Sequence, residues 1–144
     1  MPPQQSHDLQ RFVDAQQGVI ETAIDELRAG SKQSHWMWFV FPQLAGLGHS
    51  PTAQYYAIRS LDEARAYCAH PLLGPRLRQC VEALLPYAGR SPEAIFGSID
   101  ALKLRSSLTL FDLVAPQDVF ARALDAFFAG EPDQRTLALI GSAR

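Results

Sequence analysis

Helix starts and helix stops punctuate this chain from one end to the other. Leu9, Phe12, Val13, Ile20, Ala23, Ile24 and Leu27 recur at three- and four-residue steps, the spacing that lines side chains along one face of an α-helix. Gly18 marks a break between two helices and Gly30 a C-terminal stop. Ser50-Pro51 reads as an N-cap followed by the first helical position. Ser60 with Glu63 forms a capping box, opening a helix that should run to about Ala69. The chain restarts at His70-Pro71-Leu72-Leu73-Gly74-Pro75, with Pro75 expected to open a long helix after one preliminary turn. Ser91-Pro92 starts a short helix that Gly97 ends. Ser98 is expected to cap a helix from Ile99 to about Ala115, apolar enough to be buried. Pro116 is expected to start another, whose Val119, Phe120, Ala123, Leu124, Phe127 and Phe128 form the cleanest amphipathic pattern, closed by Gly130. Asp133 is expected to cap a last helix through Ile140.

Only Trp36 to Phe41 has strand-like composition, and it lacks alternation. The pattern therefore predicts an all-α fold: one compact multihelical domain over residues 1–144, of about seven to nine helices, several of them short, with residues 1–7 as a disordered tail. A length of 144 residues with 47% hydrophobic content suits one globular domain. Trp36 to Phe41 is also the longest uninterrupted apolar run, and a membrane-spanning helix needs ~18 residues or more.

Fifteen acidic against thirteen basic residues leave a net charge of −2, with both signs scattered and no basic stripe. Nucleic acid is therefore not an expected partner, because no field draws in a phosphate backbone. Cys68 and Cys80 form no CxxC, and no His pair stands at metal-ligand spacing. They read as buried thiols acting as small hydrophobes, and no metal or other cofactor is expected. Residues 1–6 lack the charged start and apolar core of a signal peptide, so the expected location is the cytoplasm.

The unusual stretch is Ser34-His35-Trp36-Met37-Trp38-Phe39-Val40-Phe41-Pro42-Gln43, which holds both tryptophans. As a helix it would be apolar on nearly every side and sit in the core, with His35 at least partly buried. The bland reading is a satisfied core histidine. The sharper one is an aromatic-walled pocket in which His35 and Trp38 hold a flat or polar ligand. Gly46-x-Gly48 before the Ser50-Pro51 start lets backbone approach an anion, although a plain tight connection also explains it. Asp100, Lys103, Ser106 and Ser107 stand three to four apart and make a polar stripe on an apolar helix. That stripe reads either as a solvated face with an Asp100–Lys103 pair or as a cation and a hydroxyl turned into the same cavity as His35.

At these residues the chain resembles a bacterial family, the domain-of-unknown-function family 1810, some members of which carry a calpastatin label that is not credited. The resemblance rests on Leu9 to Gln16, on His35-Trp36-Met37-Trp38-Phe39 with Phe41-Pro42-Gln43, and on Gly46-Leu47-Gly48. It continues through Tyr56-Ala57-Ile58, His70-Pro71, Ile95-Phe96-Gly97, Lys103-Leu104, Ser106-Ser107 and Thr109-Leu110-Phe111. It implies a compact multihelical fold and no activity, substrate or catalytic residue.

The function expected is that of an uncharacterised helical domain binding a small polar or anionic ligand, a nucleotide or a sugar phosphate. Its pocket would be formed by His35, Trp38, Gln43, Gly46, Gly48, Tyr56, Lys103 and Ser107. If chemistry occurs there, an imidazole is the side chain best suited to general acid or base work near neutrality. The alternative is a protein–protein interaction module without enzymatic activity. Trp36, Met37 and Phe41 discriminate, since exposed aromatics favour a protein partner and a sealed core favours a ligand.

Overall fold

The apolar stripes become ten α-helices among the described residues, 8–142, of the computed structural model. The tail expected at residues 1–7 lies outside the described residues. The helices are Gln10–Gln16 (α1), Ile20–Arg28 (α2), Met37–Val40 (α3), Pro51–Tyr55 (α4), Leu61–Ala69 (α5), Leu73–Leu84 (α6), Pro92–Phe96 (α7), Ser98–Val114 (α8), Val119–Phe128 (α9) and Gln134–Ser142 (α10). A 3-10 turn over Leu85–Tyr87 extends α6. Among the described residues the only β feature is one parallel bridge, Leu44 to Ile58. The fold is all-α.

Several boundaries are set by the chemistry of the caps. Ser50, Ser60 and Ser91 each accept a hydrogen bond from the backbone N–H three residues on, filling one of the orphan donors at a helix start. Gly30 has φ +69, and the Gly30 and Ser31 N–H groups donate to the Leu27 and Glu26 carbonyls. That pair of bonds is a Schellman motif, which needs the left-handed conformation glycine adopts freely. Asp133 Oδ2 accepts from the Thr136 N–H at 3.0 Å, as the sequence predicts.

Three starts differ from expectation. Helix α6 begins at Leu73 rather than Pro75, because the His70 Nδ1 accepts from the N–H groups of Leu72 and Leu73 and caps the preceding turn. Pro75 fits inside the first turn, where its missing N–H is no loss. Ser98 is the first residue of α8, not its cap. The cap position is Gly97, which also ends α7. Pro116 does not open α9: Gln117 takes a left-handed φ of +65, and Asp118 becomes the N-cap. The Asp118 carboxylate accepts from the Val119 N–H at 2.6 Å and from Arg78 Nε at 3.0 Å. A charged cap anchored to a second helix outweighs the weak preference for Pro at the first position.

Helix α8 is the axis of the molecule. Its residues from Ser106 to Phe111 are buried in succession, and α5, α7, α9 and α10 pack around it, while α6 joins α2, α5 and α9. One cluster of buried side chains runs from Leu9 to Ile140. Trp36 to Phe41, ambiguous in sequence, forms the single turn α3, packed against α1.

Candidate functional site

Helix α3 is too short to be apolar on all sides. Trp36, Met37 and Val40 take the inside, Trp38 and Phe39 are half-buried, and His35 is exposed. The expectation of an at least partly buried His35 is therefore wrong, because one turn has room inward for one face only.

Trp36 is fixed by Glu26 of α2. The Glu26 carboxylate accepts from Trp36 Nε1 at 2.9 Å, from the Gln33 and Ser34 N–H groups at 2.8 and 3.0 Å, and from the Ser34 hydroxyl. Partial desolvation alone would raise its pKa, but these donors outweigh it and hold the carboxyl at about 2. Glu26 thus ties the loop carrying His35 to α2.

The chain has two lysines and two tryptophans, and they pair. Lys32 Nζ lies 4.9 Å from the centre of the Trp36 ring and Lys103 Nζ lies 5.1 Å from that of Trp38, distances at which the ring face attracts a cation. Asp100, in the first turn of α8, stands between the two ammonium groups, 2.9 Å from Lys32 and 3.7 Å from Lys103. Lys32 also donates to the Ser34 carbonyl at 2.6 Å and is almost fully buried. Its donors are engaged. Lys103 is a quarter exposed, and no acceptor among the described residues lies within hydrogen-bonding distance of it.

Ser106 and Ser107 are both buried, so this stripe is not a solvated face. Ser106 Oγ donates to the Leu102 carbonyl at 3.1 Å and meets Asp133 Oδ2 at 3.1 Å. Thr109 bonds the Arg105 carbonyl and accepts from the Asp133 N–H. These two residues pin α10 to α8. Ser107 Oγ, one turn beyond Lys103, is the buried side-chain oxygen without a partner among the described residues.

Of the eight expected site residues, Trp38 and Lys103 are brought into contact. Tyr56 instead packs against Phe39 and Phe12, with ring centres 5.4 and 5.9 Å apart, and burial raises its phenol pKa, aided by Tyr55. Gln43 lies beside Gly48, and its carbonyl accepts from the Ile58 N–H. A Cβ at Gly48 would stand 2.5 Å from that of Ala53, and one at Gly46 would meet Leu139 at 3.3 Å. Both glycines are therefore accounted for by close packing of the turn. Two surface hollows, of about 330 and 300 Å³, are lined by Glu21, Ile24, Asp25, Arg28 and Gln79, and by Leu61, Arg65, Leu113, Leu137, Ile140 and Gly141. No expected site residue lines either.

Glu26 and Lys32 were not among the expected residues, since nothing in their spacing links α2 to α8. The buried pair of Arg11 and Glu63 was also missed. Arg11 bonds the Tyr55 and Ala57 carbonyls at 2.9 and 2.8 Å and meets Glu63 at 3.3 Å. Capping accounts for only part of the Glu63 carboxylate. Cys68 is half-buried and Cys80 buried, both free. Burial pushes their thiols up to about 11 and about 12, so neither is a ready nucleophile.

The fold and site define a small multihelical protein in which a lysine of the central helix meets a tryptophan of α3. The chain belongs to the DUF1810 family, described as "Protein of unknown function (DUF1810)", whose model matches residues 6–140. It is similar to the conserved hypothetical protein Rv1873 from Mycobacterium tuberculosis, known from a crystal structure, at 53% identity and a TM-score of 0.90, covering 93% of this chain and 96% of that one. No curated protein matches the chain.

Proposed function

We propose that this chain binds a small anionic or polar ligand, a nucleotide or sugar phosphate, on the open face where Lys103 meets Trp38. The observation that carries the reading is the unequal use of the two lysines: Lys32 donates to the Ser34 carbonyl and lies 2.9 Å from Asp100, whereas the Lys103 ammonium rests on an indole with Asp100 at 3.7 Å and no acceptor among the described residues within hydrogen-bonding distance. An oxyanion supplies what it lacks. The unpartnered Ser107 hydroxyl, buried one turn farther along α8, is a second polar group in need of a partner. Trp38 offers the flat wall, and His35, three residues earlier in the chain, is exposed. A cytoplasmic setting is supported by the two free thiols, and no described helix is long and apolar enough to cross a membrane.

A thermal-shift panel of nucleotides and sugar phosphates tests this. A ligand at ~100 times its Kd stabilises by ~2.7 kcal/mol, and Lys103→Met should abolish the shift. No shift with any member would refute the reading. The interaction-module reading keeps one favourable observation, the exposure of Ile99 and Leu102 on α8. Burial of Trp36, Met37 and Phe41 removes the aromatic surface it would otherwise use.

A further inference from the structure

Resting on that reading, the geometry points to Asp100 as a resident competitor of the ligand. We propose that an incoming oxyanion such as a phosphoryl group takes the Lys103 ammonium from Asp100, which stays with Lys32. Asp100 uses its two oxygens unequally. One lies 2.9 Å from Lys32, within hydrogen-bonding distance, and the other lies 3.7 Å from Lys103, beyond it. The looser contact is the one that yields. Lys32 is anchored independently by the Ser34 carbonyl and the Trp36 ring, so the carboxylate keeps a fixed partner when Lys103 turns away.

The carboxylate also stands beside the position an anion would occupy and repels it. Asp100 therefore weakens binding, and neutralising it without changing its shape should strengthen binding. The residue sets the affinity of the site from within and favours ligands charged enough to displace it.

The experiment is calorimetric titration of wild type, Asp100→Asn and Lys103→Met with inorganic phosphate at constant ionic strength. The expected result is Asp100→Asn binding about two- to fivefold more tightly than wild type, the order of effect a partly exposed charge exerts at close range, with no binding to Lys103→Met. Equal or weaker binding by a folded Asp100→Asn, while wild type binds, overturns the competitor role and leaves the ligand site standing. Absence of phosphate binding by both wild type and Asp100→Asn, with no response to the nucleotide panel, overturns the site and the competitor together.

Discussion

Single residues carry several of the constraints that make this fold unique. A Cβ at Gly74 would stand 2.1 Å from the Cys68 carbonyl oxygen, a backbone atom that cannot turn aside, so Gly74→Ala should destabilise the protein by about 2 kcal/mol or more. Urea denaturation measures this. Ala129 shows the opposite case. Its left-handed φ of +55 strains any residue with a side chain, and Ala129→Gly should raise stability by roughly 0.5–1 kcal/mol. Glu26 contributes to the acid response. Its pKa lies at about 2 in the fold against an ordinary 4.5, so its contribution is fully present above pH 4.5 and is lost as the pH falls toward 2. Denaturation across that window should show Glu26→Gln losing less stability than wild type. Asp118, lowered by the Val119 N–H and by Arg78 against the effect of burial, supplies part of the slope that remains.

At the scale of the element, caps were legible and cross-chain partners were not. Serine before proline and glycine after an apolar stripe act through bonds within a few residues, so Ser50, Ser60, Ser91 and Gly30 are readable from spacing alone. The Asp118 cap depends on Arg78, forty positions earlier, and local spacing carries no trace of it. Helix α3 failed for a related reason: a run from His35 to Phe41 does not announce that only one turn of it will be helical. The two tryptophans then part, with Trp36 fully buried and Trp38 half-buried. Trp36→Ala should cost about 3–5 kcal/mol, and Trp38→Ala clearly less, as equilibrium unfolding would show. The Asp133 carboxylate, just ahead of α10, joins Ser106 of α8 to Thr136 of α10. Asp133→Ala should lower stability by about 1–3 kcal/mol, with buried hydroxyls left unpaired and amide exchange quickening first in α10.

For the whole molecule, the helical class was evident from composition and periodicity, while the candidate site was legible only in outline. Lys103, Trp38 and Ser107 were expected together, and the structure brings the first two into contact. Lys32 and Asp100 complete the arrangement across sixty-eight positions of chain that only folding closes. Gly46 and Gly48, attractive as an anion loop, are occupied with packing. The ligand site we propose accordingly centres on α8 and the turn bearing Trp38. Replacing Trp36 by Phe leaves Trp38 as the sole indole, and its emission during a phosphate titration at constant ionic strength reads the proposed site alone. A saturable change in Trp36→Phe that disappears in Trp36→Phe with Lys103→Met is the result expected. A flat titration, or the same change with Lys103 replaced, would contradict it.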